Sequence, residues 1–468
     1  MIKTKDMRKL LLTLLLIVSV SVAAVAAKPK YIFLFIGDGM GMGHVMAAEN
    51  YNRLVRGSQD NILMMQFPVA SFAMTYSTNS PVTDSAAAGT ALACGTKTNN
   101  GMVGMNADTV AVTSVASELK AKYGYGVGIV TSVAYDDATP ATHYAHQPKR
   151  GMYEQINRDG ARSGFDFIAG AGTHLGDKKE TRVKIDAAFE DFRNNGYSVI
   201  KGINALKKEN PKGKVLLTVE KPVNNNEIGY AIDSIEGATS LKELTVACLD
   251  HLQKVSPKGF YMMVEAGNID HAAHGNDGGT VVKEIINFQE AIQVAYDFYL
   301  QHPKETLIVV TADHDTGGMS VGVKGGPWPI TLKYLDYQRI SKERFSDLVA
   351  DEKGRDWEDM KELIADKLGL FDEISVDYVE EAKLMDCYGR MKANIAKSTA
   401  TLYKEFNAFA EAVFDLLNHK NGFGFTTYSH TGNPVPVFAV GAGSEMFKDL
   451  NNNMEIPCKF RKLTDLKK

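Results

Sequence analysis

The sequence predicts an α/β fold: a three-layer sandwich with a largely parallel central sheet flanked by helices, plus a helical insertion. Two patterns predict it. Four continuous apolar runs, Tyr31–Ile36, Gly126–Ser132, Gly259–Val264 and Thr306–Val310, lack the alternation of a half-exposed strand. They suit strands buried on both faces of a parallel sheet. Segments of helical period separate them, as parallel crossovers require. A third pattern marks the working edge. Asp38, Glu265 with Asp270, and Asp313 with His314 all follow such runs. In a parallel sheet those strand ends share one rim, where ligands bind.

Composition sets the frame. The chain has 468 residues, 44% hydrophobic and 23% charged, which suits a globular protein with ample core. Net charge is −4, from 52 basic and 56 acidic residues. No basic patch or nucleic-acid-binding motif stands out, so nucleic acid is disfavoured as a partner. Lys3, Lys5, Arg8 and Lys9 precede the apolar stretch Leu10–Val20, and Ala24-Val25-Ala26 offers a small-residue cleavage site. Residues 1–27 therefore read as a signal peptide, which implies a periplasmic or secreted protein. The apolar stretch is short for an uncleaved anchor, and no later stretch is long and apolar enough to span a membrane. Cys94, Cys248, Cys387 and Cys458 form no C-x-x-C pair, so thiolate zinc fingers are unsupported. Disulfides and buried free thiols both stay open.

The first strand ends in Gly37-Asp38-Gly39-Met40-Gly41, which turns the chain and projects Asp38. A helix is expected over Gly43–Leu54 and a strand over Val69–Thr75. After a polar turn, Asp84 and Ser85 open an Ala-rich helix. An ordinary N-cap explains them. So does an anion site at the helix N-terminus, with Ser85 supplying an attacking hydroxyl. Thr96–Asp108 reads as loop and Val110–Lys122 as helix.

Beyond Gly126–Ser132, Pro140 and Pro148 argue against a regular helix. Asp137 and Thr139 offer hard oxygen ligands that suit Mg²⁺, and Arg150 can grip two phosphate oxygens at once. Further strands are expected over Asp166–Ala169 and Lys214–Val219, and a helix over Leu241–Val255. Asp270 and His274 stand four apart and share one helix face, a half-site for zinc. His271 is also a helical neighbour of His274, and spacing leaves it as ligand, outer group or surface residue.

A long amphipathic helix is expected over Gly278–His302. Residues 328–420 read as a mainly helical insertion, with helices over Ile340–Leu348, Trp357–Leu370 and Glu381–Leu417, the last broken near Cys387–Gly389. A lid or a homodimer contact are both open roles for it. Finally, His430 precedes a strand over Val435–Val440.

Together these segments resemble the alkaline phosphatase family. The resemblance rests on Phe35–Gly41, Thr83–Ala87, Asp137–Ala141, Val264-Glu265 with Ile269–His271, Thr311–His314 and His430–Gly432, in the family's order. It runs from Ile32 to about Gly443, outside the insertion. It implies a catalytic domain over residues 28–468 that hydrolyses small phosphate monoesters with two zinc ions and one Mg²⁺. Ser85 would be the nucleophile, passing through phosphoserine, and Arg150 would clamp the phosphate. Asp270, His274 and His430 would hold one zinc; Asp38, Asp313 and His314 the other. Asp38, Asp137, Thr139 and Glu265 would hold Mg²⁺. His271, His143 and Asp315 receive no role. A phosphodiesterase or sulfatase on the same scaffold is one rival, although no C-x-P-x-R or S-x-P-x-R motif surrounds Ser85. A non-catalytic phosphate- or metal-binding envelope protein is the other.

Overall fold

A computed structural model describes residues 28–466, apart from 176–178, 224–225, 331 and 396. The expected signal peptide over residues 1–27 lies outside the described residues.

The centre is a ten-stranded sheet. In chain order its strands are β1 (Tyr31–Gly37), β2 (Val69–Met74), β3 (Gly126–Thr131), β4 (Phe167–Gly170), β5 (Tyr197–Lys201), β6 (Lys214–Thr218), β7 (Phe260–Ala266), β8 (Thr306–Thr311), β9 (Val435–Gly441) and β10 (Asn451–Asn452). Their spatial order is β10-β2-β9-β8-β1-β7-β3-β4-β6-β5. Every pairing is parallel except those of β9, which runs antiparallel to β8 and β2.

Helices cover both faces, which is why the central strands carry no alternation. Phe260 and Tyr261 are adjacent on β7 and point oppositely. Phe260 meets Phe298 of the helix Gly278–Gln301, with ring centroids 5.6 Å apart. Tyr261 meets Phe460 of the helix Glu455–Leu463 at 6.2 Å. Every residue of β3, β7 and β8 is buried.

Two expected helices differ most from the structure. The helix expected from Val110 begins at Val115, because Ser114 accepts a hydrogen bond from the Ser117 N–H and caps it there. The helix Tyr378–Lys392 runs through Cys387–Gly389 unbroken. Gly389 weakens a helix interior by only about 1 kcal/mol. A capping box at Asp377 and Glu380 and the buried Leu384 and Tyr388 oppose that loss. The chain breaks later, where Thr399–Ala400 pairs with Glu405–Phe406 before the helix Ala408–Asn421.

With Lys342–Asp351 and Trp357–Leu368, these helices enclose a hydrophobic cluster of their own that includes Phe345, Ile364, Phe409 and Phe414. All four cysteines are free. No helix among the described residues is long and apolar enough to cross a membrane.

Candidate active site

Register gathers the rim. Ile36 of β1 pairs with Glu265 of β7 and with Thr311 of β8, while Thr131 of β3 pairs with Glu265. The segments leaving these strands therefore emerge side by side, carrying Asp38, Asp313, His314 and Thr139. The antiparallel β9 brings in His430. Val437 pairs with Thr311, so the chain entering β9 arrives at the same rim. A short ladder between His430–Thr431 and Asp315–Thr316 fixes its approach.

Asp84, not Ser85, caps the Ala-rich helix Ser85–Cys94. Its Oδ1 accepts from the Ala87 N–H at 3.0 Å, and its Oδ2 from the Gly101 N–H at 2.9 Å. The Ser85 hydroxyl is thus spared from capping. It is buried, and its Oγ lies 3.1 Å from His314 Nε2.

Acids and imidazoles converge around it in two groups. In the first, His314 Nε2 lies 3.1 Å from Asp313 Oδ2 and 3.5 Å from Asp38 Oδ1. In the second, His274 Nε2 lies 3.4 Å from Asp270 Oδ2 and 3.1 Å from His430 Nε2. His430 Nε2 lies 3.9 Å from Asp270 Oδ1. Ligands of one tetrahedral zinc stand about 3.3 Å apart, given bonds of about 2.0–2.1 Å. His314 also approaches the second group, its ring stacked on His430 with centroids 3.6 Å apart. The groups are therefore contiguous. An oxygen-only set adjoins them: Thr139 Oγ1 donates to Asp38 Oδ2 at 3.3 Å, and Glu265 Oε2 accepts from Thr131 Oγ1 at 2.5 Å.

The orientation of the imidazoles is the sharpest test of metal fit. His274 Nδ1 is 2.5 Å from the Tyr428 carbonyl and His430 Nδ1 is 2.9 Å from the Thr83 carbonyl. His314 Nδ1 is 3.1 Å from Thr316 Oγ1. In each ring the outer nitrogen is engaged, which leaves Nε2 facing the cluster. Metal-binding histidines are held in this way. Asp38 Oδ1 and Asp313 Oδ2 are buried and accept no hydrogen bond.

Electrostatics agrees. Burial, reinforced by neighbouring carboxylates, holds Asp38 and Asp313 well above the usual carboxylate range. Burial lifts Glu265 to about 7. Burial would raise Asp270 too, but His274, His430 and His314 outweigh it and hold Asp270 well below that range. Burial and the neighbouring His430 push His314 well below its ordinary value. Crowded carboxylates with lone pairs left over are a site for cations.

Asp137 meets Arg150 and His174. Its Oδ1 accepts from Arg150 Nη2 at 2.9 Å, and its Oδ2 lies 3.1 Å from His174 Nε2. Arg150 Nη1 is 3.7 Å from Asp84 Oδ2, beside the Ser85 helix.

The comparisons with known proteins fit this geometry. The alkaline phosphatase family model matches residues 29–170 and 166–466. The chain belongs to the alkaline phosphatase family. Alkaline phosphatase 4 of Bacillus subtilis is 30% identical over 380 residues, spanning 80% of this chain and 75% of that protein. The repressible alkaline phosphatase of Saccharomyces cerevisiae is 27% identical over 441 residues, spanning 85% and 73%. A cold-active alkaline phosphatase structure from Shewanella sp. superposes with a TM-score of 0.77 at 29% identity, covering 94% of this chain and 100% of that one. Membership makes this chain a phosphomonoesterase of a metal-dependent family.

Several features of this alkaline phosphatase site were not legible as motifs. Gly39 has φ +67°, and at Gly41 a Cβ would collide with the Asp315 carboxylate, so the glycines let the turn pack against the rim. Asp315 accepts from Thr431 Oγ1 at 2.5 Å and thereby anchors the residue after His430. His271 turns away to Glu227, with Nδ1 at 2.8 Å from its Oε2. The buried His143 braces the Thr139 carbonyl at 3.3 Å.

The insertion supplies two more contacts. Tyr403 Oη donates to Asp270 Oδ2 at 3.0 Å. The buried Lys342 pairs with Glu411 at 2.9 Å, and Glu411 accepts from Tyr428 Oη at 2.7 Å. Tyr428 in turn offers its carbonyl to His274. No local spacing in the sequence announces His174, Tyr403 or Lys342.

Proposed function

We propose an exported phosphomonoesterase that acts through a phosphoserine on Ser85, with two zinc ions and one Mg²⁺ in the cradle around it. One observation carries the reading: the buried Ser85 hydroxyl lies 3.1 Å from His314 Nε2, at the meeting of two acid–imidazole groups.

Asp270, His274 and His430 offer a mixed nitrogen and oxygen set that suits zinc, as do Asp38, Asp313 and His314. Asp38, Thr139 and Glu265 offer only oxygen, which suits Mg²⁺. Asp137 joins them as a further oxygen donor and also holds Arg150 through its Oδ1. When bound, the cations supply Lewis-acid charge that favours an ionised hydroxyl and neutralises phosphate oxygens.

The chain's own residues do the rest. Arg150 presents two N–H donors to two phosphate oxygens and holds phosphorus in line with Ser85 Oγ. The free N–H groups at the start of the Ser85 helix face the same anion. Ser85 Oγ attacks phosphorus as the bond to the leaving oxygen breaks, and the alcohol departs. Water then attacks the phosphoserine, phosphate leaves, and Ser85 is restored. Positioning and charge neutralisation carry most of such a transfer.

The test is metal analysis of purified protein alongside monoester hydrolysis. Two zinc and one magnesium per chain are expected, with activity lost on chelation. Ser85→Ala is expected to keep its metals and lose on the order of 10³-fold or more in turnover. Unchanged turnover in that variant would remove the mechanism. N-terminal sequencing of exported protein is expected to begin near Ala27 or Lys28.

A further inference from the structure

Among the described residues of the 328–420 insertion, Tyr403 is the only one that hydrogen-bonds a proposed metal ligand. It occupies the tip of the small hairpin formed by Thr399–Ala400 and Glu405–Phe406. The tip is pinned in place. Thr401 N–H donates to the Lys404 carbonyl at 2.8 Å. Lys404 Nζ pairs with Asp347 at 2.8 Å and lies 3.5 Å from Glu343, both on the helix Lys342–Asp351.

Tyr403's hydrogen bond and ring contacts at the site fall on the helix Asn268–His274. Its hydroxyl reaches Asp270 Oδ2 at 3.0 Å. Its ring lies 3.8 Å from the His271 ring and meets His274 edge-on at 5.2 Å. No hydrogen bond or ring contact joins it to Ser85 or His314. The residue keeps 36% of its surface exposed.

We propose that Tyr403 is a specificity-determining residue, forming the wall against which an aromatic leaving group rests. The inference rests on the reading above: Ser85 Oγ sits beside His314 in the first group, so an in-line displacement puts the leaving oxygen on the far side of phosphorus, toward Asp270, His274 and His430. An aromatic face beside that oxygen favours aryl over small alkyl phosphates by stacking. The insertion then sets substrate preference and leaves the chemistry at Ser85 untouched.

The test compares metal-loaded wild type, Tyr403→Ala and Tyr403→Phe on 4-nitrophenyl phosphate and glycerol 2-phosphate, with zinc content measured for each. Tyr403→Ala is expected to raise KM for the aryl ester about fivefold with kcat much less affected. KM for glycerol 2-phosphate and zinc content stay close to wild type. Tyr403→Phe restores the aryl KM, and Leu402→Ala, exposed on the same tip, leaves both esters unchanged. Equal shifts for the two esters, no shift for either, loss of zinc in Tyr403→Ala, or failure of Phe to rescue would each overturn the proposal. Wild type that turns over neither ester would instead remove the underlying mechanism, and this inference with it.

Discussion

Arg150 Nη2 donates to Asp137 Oδ1 at 2.9 Å, which ties the proposed phosphate clamp to the segment leaving β3. Asp84 restrains the same guanidinium from the other side. Arg150→Ala is expected to lower kcat/KM for monoesters about 10- to 100-fold, the scale of a lost charge-assisted pair. Diester turnover, with one fewer ionised oxygen to grip, should fall less. Asp137→Ala should raise monoester KM while Arg150 is intact. Steady-state kinetics on paired substrates checks both, and equal losses on the two ester classes would count against the clamp.

Asp315 acts through Thr431. It also lies 3.5 Å from His44 Nδ1 and accepts from Asn433 Nδ2 at 3.3 Å, so it holds the start of the β9 approach. Asp315→Ala frees that segment and with it His430. Zinc affinity is expected to fall about 10- to 100-fold, as for other groups that orient a ligand. Competitive chelator titration measures it. Wild-type affinity in the variant would place Asp315 outside the support of the site.

The fold was legible because the central strands are buried on both faces and so read as unbroken apolar runs. The edge strand Tyr197–Lys201, only partly buried, carries no such run and was not expected. Asp38, Asp313 and His314 were legible because each directly follows a buried strand. Asp137 was expected with Thr139 as a hard oxygen ligand, and the resemblance placed both in the Mg²⁺ set. Asp137's own partners are Arg150 and His174, and His174 comes from a segment whose place beside Asp137 only the fold determines. The same holds for Tyr403, more than 130 residues beyond Asp270 and in a region without motif.

Glu284 gives a pH test away from the metals. It is buried in the helix Gly278–Gln301, where it accepts from the Ala231 N–H at 2.7 Å, and burial lifts its carboxyl to about 7. The unfolded chain releases that proton near 4.5. Between those values the folded state binds more protons, so stability falls as pH rises. Glu284→Gln removes this loss and should be more stable than wild type at pH 8 by up to roughly 3 kcal/mol. Melting curves at pH 5 and pH 8 test it. A gap between the two proteins that does not widen with pH would refute the assignment.

Arg461 fastens the C-terminal helix to the Ser85 helix. Its Nε and Nη2 reach Glu118 at 2.8 and 3.0 Å, and its Nη1 donates to the Cys94 carbonyl at 3.0 Å. Arg461→Ala leaves Glu118 and that carbonyl without their donor. It should destabilise the fold by about 2 kcal/mol, the scale of charge-assisted hydrogen bonds lost from a partly buried pair. Chemical denaturation reads this directly, and a loss below 1 kcal/mol would show the pair to be peripheral.

Acid-quenched labelling with a radioactive phosphate monoester reaches the centre of the account, followed by peptide mapping of the labelled enzyme. Phosphate bound covalently to Ser85, and absent from Ser85→Ala, is the predicted result. Label on another residue, or steady turnover by an enzyme that never carries label, would contradict it.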